Sequence, residues 1–290
     1  MQQVKLGRTG IEISAIGFGG MPLSIKGRPD ERESRAVINA SLDNGVTFID
    51  TADVYCLTDD DIGHNERLIA ATLRDRKNGE VVQLATKGGL RRPDGEWTRD
   101  GSPRHLREAC EASLRALGVE RIFLYQLHAP DPETPFEKSV ETLAELQRKG
   151  KIEHVGLSNV STEQIARASE IVEVQSVQNR LSTFFREAID EGVVEACQKG
   201  SITFLAYSPL GGGRLAKTIS AVQVLKEIGR THNASPGAVM LAWVRSKGST
   251  VVPIPGASKI ENAIDSARAA DLSLSGDEVA RIDQTRFSRD

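Results

Sequence analysis

A carboxylate, a phenol, an ammonium and an imidazole follow one another at the ends of short apolar runs in this 290-residue chain: Asp50, Tyr55, Lys87 and His128. A phenol titrates near pH ~10 and is a reluctant acid at neutral pH. An ammonium beside it stabilises the phenolate and lowers that pKa. A carboxylate paired with the lysine keeps it charged and in position, although its own charge partly opposes the shift. A histidine next to the tyrosine can orient a substrate oxygen or share the proton transfer. Together the four groups suit donation of a proton to a carbonyl oxygen while a hydride reaches the carbon, and this chemistry calls for no metal. Singly, each has a plainer reading. Asp50 is a cap or loop acid, Lys87 a solvated lysine beside Gly88-Gly89, His128 a satisfied core histidine and Tyr55 a buried tyrosine with a bonded hydroxyl. The chemistry requires that all four meet at one mouth.

The elements that would bring them there are apolar or β-branched runs at residues 13–19, 47–50, 81–86, 121–128, 153–157, 174–178, 202–207 and 250–254. Most lack strict polar alternation, as parallel strands buried on both faces do. Helices announce themselves between the runs. Ser102-Pro103 offers an N-cap and a first-turn proline, and Gly118 a stop. Thr134-Pro135-Phe136-Glu137 reads as a capping box, Ser161 with Gln164 as another, and Ser235-Pro236 opens a further helix. Eight strands with helical crossovers predict one closed (β/α)8 barrel, a TIM barrel, over residues 1–290. Residues 4–6 and 11–13, joined by Arg8-Thr9-Gly10, would form a short hairpin ahead of it.

Barrel sites lie at the C-terminal ends of strands. The four groups fall there, with Ser158-Asn159 after the fifth strand, Gln178 ending the sixth and Tyr207-Ser208 ending the seventh. The competing architecture, an open doubly wound sheet, would need a glycine fingerprint after its first strand. Gly17-Phe18-Gly19-Gly20 does not complete one. Gly211-Gly212-Gly213-Arg214-Leu215-Ala216 fits on paper but follows the seventh strand and a Ser208-Pro209 break.

Composition narrows the partners. A formal charge of −3 gives no electrostatic footprint for nucleic acid or an anionic membrane. Three cysteines, Cys56, Cys110 and Cys197, have no metal-type spacing and cannot all pair, which suits a reducing, cytoplasmic location. No apolar run approaches the ~20 residues that cross a bilayer. Neither G-x-S-x-G nor a metal-ligand cluster speaks for a hydrolase.

These residues and their order resemble the aldo-keto reductase family. The matching stretches are Phe48-Ile49-Asp50-Thr51-Ala52-Asp53-Val54-Tyr55, Ala85-Thr86-Lys87, and Leu124-Tyr125-Gln126-Leu127-His128. His154-Val155-Gly156-Leu157-Ser158-Asn159, Val177-Gln178-Asn179, Ala206-Tyr207-Ser208-Pro209-Leu210-Gly211 and Ile254-Pro255-Gly256-Ala257-Ser258 continue the match. The resemblance implies NADPH bound in an extended form on a barrel, with NADH as an alternative. It implies Tyr55 as proton donor, Lys87 and Asp50 as its tuning pair, and His128 as substrate orienter. Ser158, Asn159 and Gln178, with Asp50 close by, would hold the nicotinamide carboxamide while Tyr207 stacks on the ring. Ser208, Pro209, Leu210 and Gly212 would line the pyrophosphate, and Gly20 and Met21 would border the cofactor near the first strand. Ile254, Gly256, Ser258 and Lys259 would follow it towards a 2′-phosphate, and Asn262 and Ser266 towards adenosine.

Many family members carry an arginine where this chain has Asn262, so Lys259 would carry the phosphate contact. The expected partner is a small-molecule carbonyl substrate chosen by loops 24–28, 57–64, 90–101 and 212–220, and Trp97 is either a pocket wall or a surface residue. The later motifs are similar to the bacterial branch that includes pyridoxal reductases. The alternative is a regulatory nucleotide-binding subunit on the same barrel, like channel β subunits. The sequence leaves the oligomeric state open.

Overall fold

The computed structural model describes residues 1–76 and 81–289. The chain opens with an antiparallel hairpin, β1 (Gln3–Lys5) on β2 (Glu12–Ser14). Then come β3 (Phe18–Gly19), β4 (Phe48–Asp50) and β5 (Gln83–Gly88), followed by a small antiparallel pair, β6 (Leu90–Arg91) and β7 (Thr98–Arg99). The remaining strands are β8 (Ile122–Leu127), β9 (Ile152–Ser158), β10 (Val174–Arg180), β11 (Thr203–Tyr207) and β12 (Val251–Pro253). Eight of them form one parallel sheet in the order β12-β11-β10-β9-β8-β5-β4-β3. The sheet curls until its ends meet. Gly17 N donates to Pro253 O at 2.9 Å, Gly19 N to Pro255 O at 3.0 Å, and a parallel bridge joins Gly19 to Gly256. A β-carbon on Gly19 would stand 2.8 Å from Ile254 O, so the seam closes this tightly only with glycine there.

The strands are buried on both faces, which accounts for their continuous apolar character. Phe48, Ala85, Leu124, Leu205 and Val252 fill the barrel interior together with Leu6 and Ile13 of the hairpin. The hairpin plugs the N-terminal end. Gly7 N donates to Thr203 Oγ1, Arg8 N to Gln175 Oε1 and Ser14 N to Thr47 Oγ1, all at or near strand beginnings. The opposite, C-terminal end is left for the loops.

Helices α1 (Glu31–Asp43), α2 (His64–Asp75), α3 (Pro103–Leu117), α4 (Phe136–Arg148), α5 (Thr162–Ser169) and α6 (Glu187–Asp190) belong to the first crossovers. Helices α7 (Val193–Lys199), α8 (Gly213–Thr218), α9 (Gln223–His232), α10 (Pro236–Arg245), α11 (Ile260–Arg268) and α12 (Gly276–Gln284) complete the outer layer. Their ends follow the expected chemistry in most cases. Ser102 accepts from His105 N with Pro103 in the first turn, and Gly118 (φ 68°) ends α3. Ser161 and Gln164 form the full capping box of α5.

Three expectations shift. Thr134 does not cap α4. The N-cap is Pro135, and the Thr134 hydroxyl donates to Asp131 Oδ2 at 2.8 Å, because that carboxylate already gathers Glu133 N and Gly101 N. The run 13–19 divides between hairpin and barrel, with Ile13 in β2 and only Phe18–Gly19 in the barrel. Val81 is 73% exposed, so the third barrel strand starts at Gln83 and runs through Lys87.

Candidate active site

Side chains alternate along a strand, so residues two apart share a face. Two positions beyond the apolar interior layer therefore comes a second inward layer: Asp50 above Phe48, Lys87 above Ala85, Gln126 above Leu124 and Tyr207 above Leu205. The register places Lys87 beside Gln126 on the neighbouring strand. The layer is polar where the one beneath is apolar, and it lies just under the barrel mouth.

Its centre is an ion pair. Lys87 is fully buried and donates to Asp50 Oδ1 at 2.5 Å, to Thr51 O at 2.8 Å and to the Tyr55 hydroxyl at 3.0 Å. All three ammonium hydrogens are thus engaged. Asp50 Oδ2 accepts from Gln126 Nε2 at 3.0 Å and from Gln178 Nε2 at 2.8 Å. A buried pair holds its charges only when its remaining bonding capacity is filled, and here it is.

Burial disfavours the ammonium, but Asp50 and then Tyr55 outweigh it and hold the Lys87 pKa above its ordinary value. Burial also raises the Tyr55 pKa. The Lys87 charge pulls it down, as the residue types predict, yet burial wins and the net shift is upward. The phenol therefore keeps its proton at neutral pH. Its oxygen accepts from Lys87, which leaves its own hydrogen for another acceptor. Burial and the Lys87 charge push His128 well below the usual imidazole range, so it is neutral at neutral pH. Its Nδ1 is buried without a hydrogen-bond partner among the described residues, and its ring lies 5.8 Å from that of Tyr55.

Above this layer opens a cleft of about 760 Å³. Asp50, Tyr55, His128, Met21, Ser158, Asn159, Gln178, Tyr207, Ser208, Pro209, Leu210, Gly212, Ile254 and Gly256 line it, which brings most of the expected site residues together. Gly20 and Lys87 lie behind the wall. The Gly20 amide bonds to Asp50 O, tying the first barrel strand to the ion pair. Ser258, Lys259 and Asn262 are exposed at the start of α11, with Ser266 buried further along the same helix, all outside the cleft wall. Of the four expected loops, 90–101 and 212–220 reach the cleft, through Leu90, Trp97 and Arg99 and through Gly212, Gly213 and Ala216.

Two strand exits are turned into the left-handed region, at Asn159 (φ 58°) and Ser208 (φ 48°). Such strain in non-glycine residues is held only where surrounding bonds fix it. Asn159 donates to His128 O and accepts from the Tyr207 hydroxyl at 2.9 Å, so three strand exits are laced together. After β11, Gly211 and Gly212 also have positive φ, and a β-carbon on Gly211 would lie 2.7 Å from the Phe184 ring. This glycine run shapes a loop on a closed barrel, not the turn of a doubly wound sheet.

Gln126, Arg99 and Arg180 join the site without any expectation from the sequence, and Trp97 proves to be a pocket wall. Gln126 stood in the apolar run Leu124–Leu127, where a buried polar residue was the available signal. Trp97 sits against both Tyr55 and His128, with ring centroids 6.3 and 6.5 Å away, and the Arg92 guanidinium lies over its ring at 4.0 Å. No group of side chains that could hold a metal occurs among the described residues. Nor is any described helix long and apolar enough to cross a membrane.

The model of the aldo/keto reductase family matches residues 15–286. A probable aldo-keto reductase of Glycine max is 33% identical, over 97% of this chain and 88% of its own length. A thermostable aldo-keto reductase solved with the inhibitor epalrestat superposes with a TM-score of 0.80 at 29% identity, covering 98% of this chain and 99% of that one. The glycerol dehydrogenase of Gluconobacter oxydans gives 0.84 at 26% identity, over 97% and 94%. Barrel, buried ion pair and relatives agree: the chain belongs to the aldo/keto reductase family and is an NAD(P)H-dependent, carbonyl-reducing enzyme.

Proposed function

We propose that the protein reduces aldehydes or ketones to alcohols with NADPH, using Tyr55 as the proton donor. One observation carries this reading. The Tyr55 hydroxyl accepts from a lysine whose other hydrogens are already committed, so its own proton is free to leave towards the cleft. Bound NADPH supplies the hydride. Tyr55 gives its proton to the carbonyl oxygen as negative charge develops there, and Lys87 stabilises the phenolate left behind. Neutral His128 offers a ring nitrogen to the same oxygen. Asp50, steadied by Gln126 and Gln178, keeps Lys87 charged and aimed. Water then restores the Tyr55 proton.

The chain's own features fit the cofactor. The exits of β9, β10 and β11 present amide and phenol side chains, and the Gly211–Gly213 loop lets backbone N–H groups come close to an anion. Lys259 and Ser258, exposed at the N-terminal end of a nine-residue helix, suit a 2′-phosphate, and Asn262 suits adenine. NADPH is therefore the preferred nucleotide in this reading. Residues 1–290 act as one domain. The free thiols of Cys56, Cys110 and Cys197 fit a cytoplasmic protein.

The test is Tyr55→Phe. Phenylalanine keeps the ring against Trp97 and His128 but removes the proton. Turnover of an aldehyde panel should fall by at least ~10²-fold, while nucleotide affinity, read by fluorescence titration, stays close to that of the unaltered protein. The same titration should show NADPH binding on the order of tenfold or more tighter than NADH. Equal loss of turnover and binding would remove Tyr55 from its role. Tight binding with no turnover in the unaltered protein would favour a regulatory subunit.

A further inference from the structure

The wall of the cleft opposite the glycine loop is built by the β6–β7 pair, and it carries a charge that no carboxylate among the described residues balances. Three arginines belong to this segment. Arg91 is paired with Asp100 at 2.7 Å. Arg92 stacks on Trp97 and donates to the carbonyls of Cys56 and Leu57. Arg99 is exposed and lines the cleft, and among the described residues it has neither a carboxylate partner nor a hydrogen-bond acceptor. The pairing of Leu90 with Arg99 fixes its place. Trp97 and Arg99 are alternate residues of one extended segment, so the indole and the guanidinium face the cleft together while Thr98 does not line it.

The other cation on the wall, Arg180, differs. Its guanidinium is held over the rings of Phe185 and Tyr207, at 4.5 and 5.6 Å, and Glu187 feels its charge. The only carboxylate among the lining residues, Asp50, is buried and satisfied. Nor does the cofactor account for Arg99. In the strand order of the closed barrel β5 and β11 stand four places apart in a ring of eight. Arg99, which follows β5, is thus diametrically across from the Ser208–Gly212 loop expected to take the pyrophosphate.

We propose that the carbonyl substrate carries an anionic group, a carboxylate or a phosphate, which Arg99 binds at the rim while the body of the substrate lies along Trp97 towards Tyr55 and His128. This rests on the reductase reading above, since it assumes that the cleft receives the carbonyl compound. A planar guanidinium matches both oxyanions through paired hydrogen bonds, and the flat indole beside it suits an apolar or aromatic spacer.

The test compares matched substrates: 4-carboxybenzaldehyde with 4-(hydroxymethyl)benzaldehyde, and glyceraldehyde 3-phosphate with glyceraldehyde. The first member of at least one pair should have the higher kcat/KM, by about tenfold, as one partly exposed charge-assisted contact allows. The pair that shows it distinguishes carboxylate from phosphate. Arg99→Gln should bring that ratio close to one, mainly through KM, and Arg99→Lys should restore part of it. Arg180→Gln should leave the ratio in place. Calorimetric titration with terephthalate, which cannot be reduced, reads the anchor without turnover and should lose affinity in Arg99→Gln. Turnover with ratios near one in both pairs, or a ratio untouched by Arg99→Gln, overturns the proposal while the reductase reading stands. Terephthalate binding through Arg99 in a protein that reduces no aldehyde would support the anchor and strike the reductase reading instead.

Discussion

Behind the Lys87–Asp50 pair lies a second set of buried acids that the reduction does not use. Glu66 is fully buried and Asp53 nearly so. Glu66 Oε1 accepts from the Thr86 hydroxyl at 2.6 Å, but among the described residues its Oε2 and the neighbouring Tyr125 hydroxyl have no partner within hydrogen-bond geometry. Burial raises the Glu66 pKa, and burial followed by repulsion from Glu66 raises that of Asp53 well above its ordinary value. A carboxyl whose folded pKa exceeds its unfolded one, ~4 for these groups, binds more protons when folded. Its contribution is present at low pH and is lost as pH rises through the window between the two values. Glu66→Gln keeps an oxygen for Thr86 and cannot ionise. The variant should therefore gain on the unaltered protein as pH rises from 5 to 8, with the Tm difference changing by on the order of 2 °C in its favour. Lys87 and His128 titrate in both proteins, so the difference isolates the acids. Melting curves at the two pH values decide, and a gap independent of pH would show that Glu66 does not ionise in this range.

Among the elements, the loops depend on a few bonds to the barrel. Asp131, in the loop between β8 and α4, accepts from Gly101 N, Glu133 N and Thr134 Oγ1, and Ser139 of α4 donates to Gly101 O. These bonds staple the segment bearing Trp97 and Arg99 to its neighbour. Asp131→Ala should cost about 2 kcal/mol of stability, the scale of hydrogen bonds to a charged group, read by denaturant unfolding. It should raise KM for carbonyl substrates more than the Kd for NADPH, because the nucleotide is expected on the far wall. An equal effect on both would mean that the staple supports the mouth as a whole.

The same loop shows what the sequence could and could not say. Barrel strands were legible because burial on both faces leaves long apolar runs, and α3 and α5 because a capping side chain acts within one turn. Thr134 does not cap α4, as the sequence suggests it would, because its hydroxyl goes to Asp131, a carboxylate fixed there by Gly101 N from thirty residues earlier in the chain. Residues 90–99 were obscure because two-residue strands have no periodicity to read, so Trp97 could not be told from a surface tryptophan. Asp50, Tyr55, Lys87 and His128 were legible as strand-exit groups. Gln126 was not, since it reaches Asp50 only through the combined registers of β4 on β5 and β5 on β8.

For the molecule as a whole, the joint between first and last barrel strands would couple stability to the wall proposed for the cofactor. The seam is short, with two backbone bonds and one bridge, and its close approach needs a residue without a side chain. In Gly19→Ala the new methyl would meet Ile254 O at 2.8 Å and Gly256 N at 3.4 Å. Both are backbone atoms and cannot rotate aside, so relief must come from parting the strands. Overpacking of this kind costs about 1–3 kcal/mol, or a Tm lower by roughly 5 °C. Because Ile254, Pro255 and Gly256 also line the cleft, the same parting should weaken NADPH binding. Gly276→Ala is the control, since a β-carbon there meets nothing within 4 Å. Thermal melts with nucleotide titration of both variants test this. Lower stability with unchanged NADPH affinity in Gly19→Ala would mean that the seam holds the barrel closed without shaping the cofactor wall.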